Sequence, residues 1–171
     1  MTRQIVVNPK KCLGCGTCEQ VCSLVKTGTL DTEHSAIKVI VYDDEEFAVP
    51  LMCHQCDEAP CVKICPVGAL YRGNDNVVSC DEGKCIVCRL CADACPIGNL
   101  SYSALIRKMI KCNRCEGDPK CVSFCPTNAI SYSTDDIGLE HRRTIAETIK
   151  NVYQTDLNNE YMRICDNSSD K

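Results

Sequence analysis

Sixteen of the eighteen cysteines stand in four groups: Cys12, Cys15, Cys18 and Cys22; Cys53, Cys56, Cys61 and Cys65; Cys85, Cys88, Cys91 and Cys95; Cys112, Cys115, Cys121 and Cys125. In each group two residues separate the first two members and three separate the last two. Such a tight loop can turn several thiolates toward one metal centre, so the chemistry on offer is ligation by sulfur. A cubane 4Fe-4S cluster needs four thiolates aimed at its corners. Three can come from one loop, and the fourth must come from elsewhere in the chain. Gly14 and Gly16 suit that use, because a residue without Cβ lets backbone amides approach the sulfides. The third loop has Ile86, Val87, Arg89 and Leu90 instead, and these bulkier residues are expected to exclude water and give a different reduction potential.

Two other uses of cysteine compete. Paired Cys-x2-Cys motifs also build tetrahedral zinc sites. Zinc modules join two pairs by a longer loop, however, and do not call for the proline that follows the fourth cysteine at Cys65-Pro66, Cys95-Pro96 and Cys125-Pro126. A disulfide scaffold fits worse, since cysteines at x2 spacing are poor geometric partners. Two cysteines fall outside the groups. Cys80 reads as a small, half-buried thiol, and Cys165 sits in a polar tail with no assigned chemistry. His34, His54 and His141 read as ordinary surface or loop residues.

The elements that position these loops repeat with them. After the prolines come Val67-Gly68-Ala69-Leu70-Tyr71, Ile97-Gly98-Asn99-Leu100-Ser101-Tyr102 and Thr127-Asn128-Ala129-Ile130-Ser131-Tyr132. One structural unit has been reused: a Cys-Pro step closes a short helical turn, and a brief strand leaves it carrying one aliphatic residue to cover a cluster. Proline turns the chain there and has no N-H in need of a partner. The first group departs, with Ser23-Leu24-Val25 after Cys22. The β-branched run Ile37 to Tyr42, a solvated turn at Asp43 to Glu46 and Phe47-Ala48-Val49 read as a hairpin. Leu100 to Ile110 reads as irregular or weakly extended. In the tail, Thr134-Asp135-Asp136 is a helix start, and Ile145, Ile149, Val152 and Tyr153 form one apolar stripe that must cover its own domain or a partner.

Composition agrees with metal as a source of cohesion. There is no Trp, only two Phe and six Tyr in 171 residues, so bulky core side chains are scarce. The formal charge of -4 counts thiols as neutral, and each cluster with four thiolates would add roughly two negative charges. Lys10, Lys11, Lys63, Lys84, Lys108, Lys111 and Lys120 are scattered beside the cysteines with no aromatic interleaving, which argues against nucleic acid as a partner. No apolar run approaches the roughly 20 residues of a membrane span. Ile5 to Val7 is followed at once by Asn8, Pro9 and two lysines, giving neither a signal-peptide core nor a twin-arginine signal. A cytoplasmic protein with reduced thiols is expected.

The four groups, with loops widened by Asp57-Glu58-Ala59-Pro60 and by Glu116-Gly117-Asp118-Pro119-Lys120, resemble the four-cluster ferredoxin subunits of the dimethyl-sulfoxide-reductase type. Those subunits serve molybdenum and tungsten enzymes, some hydrogenases and carbon monoxide dehydrogenase. The resemblance covers roughly residues 3 to 133. It implies an α+β fold of two bacterial-ferredoxin-like units, one nested in the other, with short strands and helices around four 4Fe-4S clusters. Residues 1-47 and 107-134 would form the outer unit, 48-106 the inner one, and 135-171 a C-terminal helix and tail. It also implies the ligand sets: Cys12, Cys15 and Cys18 with Cys125; Cys112, Cys115 and Cys121 with Cys22; Cys53, Cys56 and Cys61 with Cys95; Cys85, Cys88 and Cys91 with Cys65. The phrases Cys22-Ser23-Leu24-Val25, Arg107 to Cys112, Gly117-Asp118-Pro119 and Phe124 to Thr127 look most like subunits of tungsten-dependent aldehyde oxidoreductases, with benzoyl-CoA reductase complexes similar. The implied role is non-catalytic: relay of electrons between a tungsten or molybdenum catalytic subunit and a flavin subunit or soluble redox carrier, with self-association of copies as a further implication. The rivals are a free polyferredoxin or the electron-transfer subunit of a hydrogenase or carbon monoxide dehydrogenase, and, more remotely, a zinc-stabilised interaction module.

Overall fold

The computed structural model describes residues 3-42 and 47-133. Contacts divide the chain into a unit at Met1–Thr134 and another at Asp135–Lys171. The expected tail helix, Cys165 and His141 lie outside the described residues, as does the turn expected at Asp43 to Glu46. In chain order the elements are β1 (Gln4–Val7), α1 (Thr17–Thr27), β2 (Ile37–Tyr42), β3 (Phe47–Met52), α2 (Pro60–Lys63), β4 (Leu70–Arg72), β5 (Val78–Cys80), α3 (Leu90–Asp93), β6 (Leu100–Ser103), β7 (Lys108–Lys111), α4 (Lys120–Ser123) and β8 (Ile130–Ser133).

The strands pair as four antiparallel ribbons: β1 with β8, β2 with β3, β4 with β5, and β6 with β7. The expected hairpin forms, with Ile37 opposite Met52 and Tyr42 opposite Phe47. Its β-branched residues suit a pleated surface, and the Tyr42 and Phe47 rings meet at the turn end with 6.1 Å between centroids. The strands expected after the prolines are β4, β6 and β8. Their aliphatic residues Leu70, Leu100 and Ile130 are 4 %, 4 % and 2 % exposed, respectively.

The segment Leu100 to Ile110 corrects the sequence reading: it is a hairpin, with Leu100 opposite Lys111 and Ser103 opposite Lys108. Its turn has no Gly, Asn or Pro to announce it. Arg107 takes the left-handed φ of 54° that such a residue would normally supply, and the Ile106 N-H donates to Ser103 Oγ at 3.4 Å. β1 pairs with the remotest strand, Val7 facing Ile130, and so draws the first and last cysteine groups together.

Helix lengths follow the prolines. α2, α3 and α4 are single turns that end ahead of a Cys-Pro step, whereas α1 runs on through Cys22 because Ser23 stands where the proline would be. Ser23 is fully buried and its hydroxyl donates to the Asp31 carbonyl. Gly28, at φ 77°, then ends α1 by donating its N-H to the Leu24 carbonyl at 2.9 Å. α1 packs on α4, and α2 on α3.

Apolar side chains and cysteine share the core. One cluster joins Ala59, Leu70, Val78, Leu100 and Met109 with Cys91; another joins Ala36 and Ile110 with Cys22 and Cys112. Full burial of a Leu or Ile contributes about 1.5–3 kcal/mol. No helix among the described residues is long and apolar enough to cross a membrane.

Candidate iron-sulfur sites

The fold brings the cysteines together as four sets. At site A, Cys12 has Cys15 and Cys125 as electrostatic neighbours, and Cys18 has Cys12 and Cys15. Site B is a cleft lined by Cys112, Cys115, Cys121 and Cys22 and walled by Ile5 and Ile37. Site C gathers Cys53, Cys56, Cys61 and Cys95, with Leu100 and Val78 on its wall. Site D gathers Cys85, Cys88, Cys91 and Cys65, with Leu70 and Met109. Each set takes three cysteines from one group and the last cysteine of another.

The loops reach this geometry through one backbone device. The residue just before the second cysteine is left-handed in all four: Gly14 at φ 67°, Gln55 at 53°, Val87 at 56° and Arg114 at 55°. A second left-handed residue follows in the first loop, Gly16 at 70°, and at the same place in the third, Arg89 at 66°. Left-handed residues in a tight loop turn successive N-H groups to one side, which makes a concavity suited to an anionic group. The turns after Pro66, Pro96 and Pro126 repeat the same device at Gly68, Gly98 and Asn128.

Two kinds of thiol result. Burial pushes Cys18 up to about 12, with the charges of Glu19, Cys12 and Cys15 adding to it. Burial likewise pushes Cys112 up to about 11, and it raises Cys12, Cys61, Cys91 and Cys121. Cys65 goes the other way: burial raises it, but the N-H groups of Leu70, Val67, Ala69 and Gly68 outweigh that. The Ala69 N-H donates to Cys65 Sγ at 3.2 Å. Cys125 is lowered in the same manner, where burial is outweighed by the Ile130, Thr127 and Ala129 N-H groups and the Thr127 hydroxyl. Two of the cysteines that join a set from another group, Cys65 and Cys125, therefore arrive in a cradle of amides.

Neighbouring sets touch in a fixed order. Cys18 of site A acts on Cys121 of site B. Cys53 of site C acts on Cys112 of site B, and Cys61 of site C on Cys91 of site D. The sites thus run A, B, C, D. Among the described cysteines only Cys15, in site A, and Cys88, in site D, are exposed, one at each end of that row. Polar side chains fix the junctions. Lys26 Nζ of α1 donates to Asn113 Oδ1 in the fourth loop at 2.7 Å, and the Val39 N-H of β2 donates to Glu19 Oε1 of α1 at 3.0 Å. Gln55 Nε2 donates to the Cys112 carbonyl at 2.9 Å while its Oε1 accepts from the Val78 N-H at 2.8 Å.

The donor set fits 4Fe-4S clusters: four sulfurs around each cavity, apolar walls and amides directed at sulfur. Every described cysteine is unbridged. A 4Fe-4S dicluster domain model matches residues 44–135, and a second of the same description matches residues 4–66. The chain belongs to the 4Fe-4S dicluster domain family. As a dicluster ferredoxin it is an iron-sulfur electron-transfer protein.

Three relatives give that family a setting. The beta subunit of the NADH-dependent phenylglyoxylate dehydrogenase of Aromatoleum evansii is 37 % identical over 134 residues, 76 % of this chain and 30 % of that one. The putative electron transport protein YsaA of Escherichia coli is 34 % identical over 140 residues, 76 % of this chain and 88 % of YsaA. The thiosulfate reductase electron transfer subunit PhsB of Salmonella typhi is 31 % identical over 149 residues, 77 % of each chain. The chain thus spans under a third of the dehydrogenase subunit but most of the other two.

Several placements correct or extend the sequence reading. Ile86 and Leu90 line site D while remaining 61 % and 44 % exposed, so each meets the third loop on one side and solvent on the other. Cys80 is half-buried as expected, yet it also lines site D with the four cysteines there, and burial and the neighbouring Cys85 push it up to about 12. His54 lines site C, and His34 lies beside Asp31 at 3.8 Å between Nε2 and Oδ2. Gln55 and Lys111, both buried beside ligand positions, had no signal in the sequence beyond their nearness to cysteines.

Proposed function

We propose that the chain is the electron-transfer subunit of an oxidoreductase complex, holding four 4Fe-4S clusters with Cys12, Cys15, Cys18 and Cys125 at site A; Cys112, Cys115, Cys121 and Cys22 at B; Cys53, Cys56, Cys61 and Cys95 at C; and Cys85, Cys88, Cys91 and Cys65 at D. The observation that carries this reading is the row of four cysteine sets with an exposed cysteine only at its two ends. Bound clusters supply one-electron redox sites; the chain does the rest. Thiolates hold each site, the amides around Cys65 and Cys125 stabilise negative charge, and Leu70, Leu100 and Ile37 keep water from the interior. Electrons enter at one end and leave at the other. Leu13 beside Cys15, and Ile86 and Leu90 beside Cys88, are exposed apolar side chains suited to docking redox partners there.

The arrangement supports two nested ferredoxin-like units, residues 1-47 with 107-134 around 48-106, and the unbridged cysteines favour a reducing, cytoplasmic setting. PhsB and the dehydrogenase beta subunit, both named as parts of larger enzymes, favour a subunit over a free polyferredoxin. The finer reading is a tungsten or molybdenum catalytic partner of the aldehyde-oxidoreductase type, with a flavin subunit or soluble carrier at the other end; it rests on the phrases around Cys22, Cys112 and Cys125. Anaerobic purification should yield about sixteen irons and sixteen acid-labile sulfides per chain. It should also yield a large subunit containing tungsten or molybdenum. A colourless zinc protein without sulfide would end the cluster reading, and recovery as a free monomer would end the subunit reading.

A further inference from the structure

Lys111 ends β7 and is 4 % exposed. A buried ammonium is costly unless an anion accompanies it. Among the described residues no carboxylate is paired with Lys111; the lysine ion pairs are those of Lys63, Lys84, Lys108 and Lys120, all at the surface. Its Nζ instead donates to Cys53 Sγ at 3.1 Å and to the Cys112 carbonyl at 3.3 Å. Cys53 belongs to site C and Cys112 to site B, so the ammonium stands at the junction between the two middle sites. It also lines the site C cavity itself. Gln55, donating to the same Cys112 carbonyl, helps to fix that junction.

We propose that Lys111 sets the reduction potential of site C. The inference rests on reading that site as a 4Fe-4S centre. Four thiolates and an oxidised cluster carry about two negative charges, and the one-electron reduced form about three. A fixed positive charge at a ligand sulfur stabilises the more negative form more, so it raises the potential. No bond forms or breaks: an electron leaving site B oxidises B and reduces C. The sulfur contact is to site C and the nearest group of site B is a backbone carbonyl, so the effect is larger at C and electrons are drawn across the junction toward it. Lys111 is a positioning charge and not a relay.

The test is a potentiometric titration, followed by electron paramagnetic resonance, of the full chain purified anaerobically with its clusters. The parent is compared with Lys111→Met, Lys111→Gln and Lys111→Arg, and the site C signal is identified by its change in Cys56→Ser. Loss of the charge should lower the reduced-to-oxidised ratio of site C about tenfold at a fixed potential, or about 59 mV for a one-electron couple. Sites A and D should hold their potentials, and Lys111→Arg should stay within about threefold of the parent. An unchanged site C in either neutral variant, or an equal shift at all four sites, overturns the proposal. If both neutral variants lose the site C cluster, Lys111→Arg decides. Recovery of the cluster at the parent potential supports the charge, and failure to recover it makes Lys111 structural and overturns the proposal. A parent chain with no cluster at site C defeats the underlying cluster reading, which is a separate result.

Discussion

The first and third cysteine loops trace the same backbone with different residues. Gly14 and Gly16 adopt left-handed φ at no steric cost, whereas Val87 and Arg89 adopt it against their preference, Val87 most of all because it is β-branched. What lies over each loop explains the choice. A Cβ on Gly14 would meet Val41 Cγ2 at 3.2 Å and Ala48 Cβ at 3.4 Å, so the β2–β3 hairpin crowds a side chain there. In the third loop Val87 packs against the core around Leu70 and Met109. Glycine in this motif is therefore a response to a neighbour, and the left-handed turn itself is imposed by the need to direct amides into the site.

The largest expected effect separates the loops by their ligands. Cys18→Ser should remove the site A cluster and about a quarter of the iron. Cys91→Ser should damage site D less completely, because Cys80 lines the same cavity and can lend a sulfur. The double variant Cys80→Ala with Cys91→Ser should then match the loss in Cys18→Ser. Iron and sulfide assays with visible spectra check all three, and identical single and double variants would remove Cys80 from the account.

Exchanging the loop residues probes the backbone directly. Gly14→Val, which writes the third loop's residue into the first, should destabilise by about 1–3 kcal/mol through left-handed strain, with further cost from the contact with Val41. The anaerobic guanidinium midpoint for cluster loss reports it. The reverse exchange, Val87→Gly, should fall within about 1 kcal/mol of the parent, since relief of strain is offset by lost packing and a more flexible unfolded chain. A cost as large as that of Gly14→Val would mean that Val87 is not strained. The smallest effect belongs to Arg89, whose guanidinium lies 4.2 Å from the centre of the Tyr102 ring. Arg89→Ala should cost about 0.5–1 kcal/mol by the same measurement, and Arg89→Lys should recover part of it.

Much of this comparison was legible from spacing alone. The four groups, the hairpin after Ile37 and the buried Leu70, Leu100 and Ile130 follow from motif and repeat, because those positions carry their own chemistry. The strands β1, β5 and β7 were not read, since three or four residues show no clear period and their pairing depends on partners elsewhere in the chain. Arg107 hid the turn between β6 and β7 by taking a conformation for which the sequence offers no glycine. The partial exposure of Ile86 and Leu90 was hidden for a related reason: residue size was visible, but how much of each side chain a left-handed loop leaves to solvent was not. The burial of Lys111 also depends on the fold, because only the approach of Cys53 to β7 makes that lysine different from its neighbours on the surface.

The β1–β8 ribbon has a meaning in time as well as in space. A chain leaving the ribosome presents Cys12, Cys15 and Cys18 early, yet their neighbour Cys125 emerges near the end of the described sequence. Cys53, Cys56 and Cys61 find Cys95 sooner, and Cys85, Cys88 and Cys91 find Cys65 already waiting. The inner sites can close while the chain is still growing, whereas the first loop, with its exposed Cys15, waits as open thiols until β8 arrives to pair with β1. The oldest cysteines in the nascent chain are thus the last to meet their fourth partner.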